Sequence, residues 1–440
     1  MRALAFVGRC ALLASLCLAL AAPAMAEDSF TMGAAVEKAL RDNPGITAAR
    51  AGHDAAEEGR KSARGAFGPA LSSTYGYTRY DHKPMSMGIA RDDDLYAWTL
   101  RAKQNIFTGF NLLSTYQKAA LEKERQEAVV RNTELGLIAT VQENFLGYLK
   151  ARENVRSATD ALERLKSQRK VTQAYYDVGL RPRLDVLQAE VDLSRAESDL
   201  ILAENTEATQ QARLNTLLAL DLAAPVVYAG NLEYLPFDMT LEECLERAYR
   251  QRPDITIAAR AIDIARKDKT IVESQYYPQV AAQMDWSKQG DHPNVDGSEI
   301  SPSGFSQWSV GATASWTAFE WGRTYYAAEQ AGQLVNKVRA EEANLRQEVA
   351  FEVKSRLLKV QEAAKRIGVA RKGLDQAGEA YRMALARYEA QVGTNTDVLD
   401  ALAKFTAAEA ALTTAKTDYL TALAKLMVSL GERNTDLALR

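Results

Sequence analysis

Thr31-Met-Gly-Ala-Ala-Val-Glu-Lys-Ala-Leu-Arg-Asp-Asn-Pro44-Gly-Ile46 returns 209 residues later as Thr240-Leu-Glu-Glu-Cys-Leu-Glu-Arg-Ala-Tyr-Arg-Gln-Arg-Pro253-Asp-Ile255. The same offset joins Phe67-Gly-Pro69 to Tyr276-Tyr-Pro278, and Pro84 to Pro293. With only eleven prolines in the chain, three pairs at one spacing argue for an internal duplication. The third pair lies in turn-rich sequence, so the first two carry the argument. The duplication decides the fold, because each half then holds the same parts in order: a helix, two short strands and two long helices.

Working outward, prolines are absent from 85 to 181 and again from 303 to the C-terminus. Within these windows apolar residues keep helical spacing: Leu135, Ile138, Val141, Phe145, Leu149, Val155, Ala158, Leu162 and Leu165 in the first half. Val349, Val353, Leu357, Val360, Ala364 and Ile367 repeat the pattern in the second. Helices over about 110–177 and 323–390 follow, each about 100 Å long at 1.5 Å per residue. Each ends at a related element, Tyr175-Tyr-Asp-Val-Gly-Leu-Arg-Pro-Arg-Leu-Asp185-Val-Leu-Gln-Ala189 and Tyr388-Glu-Ala-Gln-Val-Gly-Thr-Asn-Thr-Asp397-Val-Leu-Asp400-Ala401. Gly179 and Gly393 suit helix C-caps, with polar residues downstream to start the next helix. Each long helix therefore folds back into a hairpin with a shorter one of about 35 residues.

The strands alternate cleanly. Tyr96, Trp98, Leu100 and Ala102 stand on one side against Thr99, Arg101 and Lys103 on the other. Val280, Ala282, Met284 and Trp286 do the same, as do Trp308, Val310, Ala312, Ala314 and Trp316, while Leu71 to Tyr80 is a weaker strand. One apolar and one polar face at a length near 10 residues suits a membrane barrel strand. A half-buried sheet in a soluble protein gives the same alternation. All five tryptophans lie in or beside these strands, and Trp98, Trp286, Trp308 and Trp316 are the expected interface anchors against membrane lipid. Four strands cannot close a barrel, whose usual minimum is about eight. An open edge cannot face lipid, since unpaired backbone groups there cost several kcal/mol each. Spanning strands thus require several copies of this chain to share one barrel.

The expected organisation is a signal peptide over 1–26 and a first repeat over 27–221, with strands near 70–80 and 95–107 and a hairpin near 110–220. A connector over 222–238 holds Pro225 and Pro236. The second repeat covers 239–440, with strands near 279–288 and 306–317 and a hairpin near 323–430. The signal reading rests on Arg2, the apolar stretch Ala11 to Ala22 and the small-x-small site Ala24-Met-Ala26. Cys17 follows Leu16 rather than a small residue, which argues against a lipid-attached signal. Its removal takes two arginines and no acid, moving the formal charge from -3 to -5. That mild acidity suggests no nucleic-acid partner. Cys244 then remains alone, so neither an intrachain disulfide nor a Cys-rich metal site is expected. The polar loops Asp81–Asp94 and Gln289–Gly304 suit an outer surface, and the run Asp92-Asp-Asp94 reads as solvated loop.

No Gly-rich phosphate loop, Ser or Cys nucleophile motif or metal-spaced His pair stands out, so no catalytic residue, metal or cofactor is assigned and an enzyme is not expected. A soluble periplasmic adaptor or coiled-coil scaffold remains the alternative, although two hairpins with only four strands fit it poorly.

These parts, with Asn43-Pro44 near the mature N-terminus and Asp397-Val-Leu-Asp400-Ala401 after the last hairpin, resemble the TolC-type outer-membrane channels over about 30–430. The resemblance implies a mainly α fold with a small β part. It also implies a homotrimer with an α-helical barrel and a shared 12-stranded transmembrane β-barrel, placed in the outer membrane and extending into the periplasm. It further implies partnership with a periplasmic adaptor and an inner-membrane transporter, in efflux or type I protein secretion. By position it maps an acidic pore constriction onto Asp397 and Asp400, whose crowding in three copies should raise some of their pKa values. It also pairs Asp185 with Tyr388 as gate contacts through a hydroxyl-to-carboxylate hydrogen bond. The family's best-known gate uses an arginine in the second hairpin. None occurs from Gly393 to Thr396, and Arg181 and Arg183 lie in the first hairpin instead.

Overall fold

The computed structural model describes residues 29–82, 85–86, 89–90, 93–297 and 304–437. The signal expected over 1–26, with Cys17 in it, lies outside them, as do Pro84, Asp92 and the middle of the 289–304 loop. In chain order the elements are β1 (Ser29–Phe30), α1 (Met32–Asp42), α2 (Pro44–Gly65), β2 (Ala70–Arg79), β3 (Met85–Ser86) and β4 (Ile89–Ala90). Next come β5 (Asp94–Thr108), α3 (Asn111–Asp177), α4 (Arg183–Leu217), β6 (Val227–Tyr228), α5 (Leu241–Gln251) and α6 (Pro253–Glu273). A single 3-10 turn, β7 (Gln279–Gly290), β8 (Phe305–Ser315), α7 (Arg323–Glu389) and α8 (Asn395–Ser429) complete the order.

The duplication is visible in backbone angles. Asn43 holds φ -68°, ψ 127° and Arg252 φ -66°, ψ 124°, so both helix pairs break at the same place. The proline that follows disfavours the helical region at the residue before it and then begins the next helix. The N-caps agree as well. Thr31 Oγ1 accepts from the Ala34 N–H, and Thr240 exchanges reciprocal hydrogen bonds with Glu243 at 2.8 and 3.3 Å. Helices α3 and α7 each run 67 residues, and α4 and α8 each run 35.

The chain divides into two compact units, and each draws elements from both repeats. One comprises the described residues up to Ile46, Glu134–Gln251 and Glu352 onward; the other comprises Thr47–Thr133 and Arg252–Phe351. In the first, Ala35, Val36, Ala39 and Leu40 of α1 pack with Ile138, Val141 and Phe145 of α3 and with Leu214 and Leu218. Tyr228 closes this core, and its hydroxyl donates to Asn215 Oδ1 at 2.6 Å. Burial pushes that phenol's pKa up. The Asn215 amide in turn donates to the carbonyls of Asp221, Leu222 and Ala224, which shapes the connector. Arg152 fastens the next stretch by donating to the Tyr228 and Gly230 carbonyls. The tail beyond Gly431 lies against the same unit: Gln142 donates to the Asn434 carbonyl at 2.7 Å and Leu437 is buried. Cys244 is buried on α5.

The second unit holds the antiparallel sheet β2-β5-β7-β8. The middle pair, β5 with β7, joins the two repeats and is interrupted by a bulge between Asn105 and Phe107. β2 and β8 are edges, ten and eleven residues long and exposed throughout. No described helix is long and apolar enough to cross a membrane, which says nothing about this sheet.

Candidate functional site

Register sorts the sheet residues into two faces. One face stacks Tyr77 with Tyr96, then Tyr75 with Trp98, then Leu100, Trp286 and Trp308, then Leu71, Ala102, Met284 and Val310. Ala282 and Ala312 follow, then Val280 and Ala314, with Trp316 just past the end of β8. This face is apolar yet uncovered, with Trp308 71% exposed and Val310 66%. Trp98 meets Trp286 edge-on at 5.5 Å and donates its indole N–H to Ser73 Oγ at 2.8 Å. Trp316 donates to the Tyr276 carbonyl at 3.2 Å. The eight residue steps from Trp308 to Trp316 span about 27 Å of extended chain, close to the roughly 25 Å apolar band between the aromatic girdles of a membrane barrel.

Exposed aromatic residues at the helix end of the sheet outnumber the four tryptophans expected as anchors. Phe319, Trp321, Tyr325 and Tyr326 are all strongly exposed at the helix end of the sheet, together with Phe110, Tyr276 and Tyr277. Phe110 and Trp321 sit at positive φ, 70° and 53°, in the two strand-to-helix turns. Gly109 beside Phe110 also has positive φ, and a Cβ there would come within 2.4 Å of the Ser274 carbonyl oxygen. Part of their signal is in the sequence as the cluster Trp316-Thr-Ala-Phe319-Glu-Trp321, just past the alternating strand. At the loop end, Lys288 shares the aromatic face and reaches out to Asp296, the behaviour of a snorkelling amine.

The ends of the hairpins invert this arrangement, since polar groups are buried there. Gln168 and Thr172 of α3, Tyr388 of α7 and Asn395 of α8 are all inaccessible or nearly so. Gln168 donates to Asn395 Oδ1 at 2.9 Å, and Thr172 Oγ1 lies 3.2 Å from the same oxygen. Asn395 Nδ2 donates to the Asp185 carbonyl at 3.1 Å. Arg181 donates to the Gly393 carbonyl at 2.7 Å, and its guanidinium lies 5.0 Å from the centre of the Tyr388 ring. Thr396 meets Gln188 at 3.3 Å. Every one of these contacts joins one hairpin to the other.

Two expectations change here. The Tyr388 hydroxyl meets Thr172 Oγ1 at 3.2 Å rather than the Asp185 carboxylate. Tyr388 is fully buried, so its hydroxyl takes the buried partner beside it, and Asp185 joins the hairpins through its backbone carbonyl instead. Gly393 is not the C-cap: α7 ends at Glu389, and Gln391 takes the left-handed conformation at φ 63°. Gly179 does fill that position in the first hairpin, at φ 75°.

Asp397 and Asp400 stand in the first turns of α8. The Asp397 carboxylate accepts from the Thr394 N–H at 3.0 Å while Thr394 Oγ1 accepts from the Asp397 N–H. This reciprocal capping holds the Asp397 carboxyl below the usual carboxylate range. Asp400 is exposed and pairs with Lys404 at 2.7 Å. Among the described residues no His, Cys, Asp or Glu cluster could hold a metal ion.

Comparison with known proteins decides the family. The model described as "Outer membrane efflux protein" matches residues 35–220 and 244–432, in two segments that follow the two repeats. The chain belongs to this family. It is an outer-membrane channel of the TolC type, a transport protein and not an enzyme. The outer membrane protein TolC of Vibrio cholerae is 24% identical over 403 residues, covering 90% of this chain and 89% of that protein. The alkaline protease secretion protein AprF of Pseudomonas aeruginosa is 24% identical over 418 residues, covering 91% and 84%. The crystal structure of the Campylobacter jejuni CmeC outer membrane channel superposes with a TM-score of 0.79 at 16% identity, covering 91% and 85%.

In this TolC-type channel Asp185 and Tyr388, expected as a pair, both lie where the two hairpins meet, beside Gln168, Thr172 and Asn395, which the sequence reading did not name. Their signal was faint: two polar residues one turn apart on the inward stripe of α3, and an asparagine in a turn where asparagine is ordinary.

Proposed function

We propose that three copies of this chain assemble one passive export duct. Its membrane part is a closed barrel to which each copy gives β2, β5, β7 and β8, and its periplasmic part is a tunnel of the long helices. The observation that carries the reading is the pair of long open edges on a sheet with a lipid-like face. A bare edge of that length in a bilayer would leave several backbone groups unpaired at several kcal/mol each. Pairing β8 of one copy with β2 of the next removes every edge, and four strands per copy make twelve in three.

The helices support the same assembly. Leu184, Leu187 and Val191 of α4 are exposed at heptad-like spacing, and Leu358, Val369 and Met383 of α7 are exposed as well. Neighbouring copies cover these stripes. Val178, Leu180 and Val392 at the hairpin turns form an apolar patch for a periplasmic adaptor, which links the duct to an inner-membrane transporter that supplies the energy. The contacts of Arg181, Tyr388 and Asn395 hold the hairpin ends together as the closed gate, and Asp400 with Asp397 lines the constriction. The four tryptophans and the aromatic girdle of the helix end anchor the barrel in lipid.

The test is oligomer mass in detergent together with single-channel conductance in a planar bilayer. Discrete channels from a trimer are expected. A soluble monomer without conductance would overturn the reading and return the four strands to an ordinary half-buried sheet.

A further inference from the structure

The polar face of the sheet carries few charges. Register lines up Ser72, Arg101, Asp285 and Ser309 in one row and Ala70, Lys103, Gln283 and Gly311 in the next. Arg101, Lys103 and Asp285 are the only charged residues among the positions of this face on the four strands. Two of them cancel: Arg101 Nε donates to Asp285 Oδ1 at 2.6 Å, and Gln283 donates to the other carboxylate oxygen. Lys103 has no hydrogen-bond or ion-pair partner among the described residues, and its row mates Ala70, Gln283 and Gly311 carry no charge. Ala70 and Gly311 are also small, so neither covers the exposed amine.

We infer that Lys103 is a charge-selecting residue of the channel wall, leaving one uncompensated positive charge per copy on the lumen face and concentrating anions there. The inference rests on the proposed trimeric barrel, in which the face opposite the tryptophans lines the lumen. Three copies set three ammonium groups at one level of the barrel, and a wall of one sign raises the local concentration of the opposite ion. Asp285 sets the strength of this field, because without it Arg101 would add a second positive charge in the adjacent row. The register thus encodes a neutral pair and a free charge, two residues apart on β5.

Thiol chemistry in the lumen reads the field locally. Cys244, the single free cysteine among the described residues, is buried, so Ser309→Cys supplies an addressable thiol on the polar face, about 12 Å from Lys103, two strands across and one row along. In liposomes at about 10 mM salt, where the screening length is about 30 Å, one charge at that distance changes the local concentration of a singly charged reagent by about 1.5-fold. The measurement is the ratio of reaction rates with an anionic and a cationic thiosulfonate. Adding Lys103→Gln should lower that ratio about twofold, and adding Asp285→Asn should raise it at least as much. Lys103→Glu, which does not disturb the Arg101–Asp285 pair, should lower it about fivefold and serves if the Asp285 variant fails to assemble. Ratios that do not move with Lys103 overturn the inference. Val310→Cys, on the apolar face, separates this from failure of the barrel itself: it should react far more slowly than Ser309→Cys. Equal rates would mean that the sheet is not a membrane wall, and both proposals would fall together.

Discussion

The two hairpins come from one duplicated unit, yet their ends are built differently. The first turns through Gly179 at φ 75°, with the Gly179 and Leu180 N–H groups donating back to Tyr176 and Tyr175 at 2.9 and 2.8 Å. The second puts Gln391 into the left-handed region and begins its next helix with the Thr394–Asp397 capping box. The first hairpin contributes Arg181 as donor and the Asp185 carbonyl as acceptor; the second answers with the Gly393 carbonyl and the Asn395 amide. Equivalent positions have become complementary ones. Each hairpin contributes one side-chain donor and one main-chain acceptor, and the two contacts together couple the hairpins.

The largest way to break that complementarity is at Asn395. Its side chain accepts from Gln168 and Thr172 and donates to the Asp185 carbonyl, all with little access to water. Asn395→Leu keeps the volume but removes the shorter of the two hydrogen bonds made by the Gln168 amide and cuts the link from the Asp185 carbonyl to the other hairpin, at about 3 kcal/mol. The open fraction of single channels should rise on the order of a hundredfold, and the amides of the first turn of α4 should lose exchange protection. An unchanged open fraction would remove this cluster from the gate. Arg181→Ala should act in the same direction but more weakly. The loss is one charge-assisted hydrogen bond and a stacked cation, half in solvent, or about 1 kcal/mol. A roughly fivefold rise in open fraction is expected, and Arg181→Lys should recover only part of it, because an ammonium does not lie flat on the Tyr388 ring.

Much of this fold was legible because it is written in spacing. The proline offset gave the repeats, the proline-free windows gave α3 and α7, and strict alternation gave β5, β7 and β8 together with their faces. The hairpin contacts were less legible, because a hydrogen-bond partner across two chain segments leaves no period in either. The place of Tyr388 is legible but its partner is not, since sequence offers both Asp185 and Thr172 and only burial chooses between them. Gly393 was read as a cap because glycine usually is one. Here α7 ends early and the left-handed residue falls on Gln391, while Gly393 serves by offering its carbonyl to Arg181. The compact units were hidden for a similar reason: strands and helices of one repeat pair with those of the other, so neither half stands alone.

The smallest expected effect sharpens the comparison at Asp397, where two influences oppose each other. Crowding three copies of a carboxylate around a pore raises its pKa, while the Thr394 cap in each copy lowers it. In the protomer the cap sets the direction: the folded-state pKa lies below 3.8, so the ionised carboxylate favours the folded helix end. That contribution is fully present above the unfolded value and is lost as pH falls through the lower folded one. Amide exchange at Thr394, corrected for intrinsic rates, should therefore show constant protection from pH 7 down to about 4 and weaken only below it. Asp397→Asn, which can still accept from the Thr394 N–H, should flatten the acid limb without opening the helix end. A limb that begins well above pH 4 in the trimer would mean that crowding outweighs the cap. Because the cap already occupies Asp397, Asp400→Ala should reduce cation preference more than Asp397→Ala does, even though Lys404 partly offsets Asp400. The first hairpin offers Gln188 where the second has Asp400, so only the second supplies the double carboxylate of the proposed constriction, while the arginine that joins the two hairpins comes from the first.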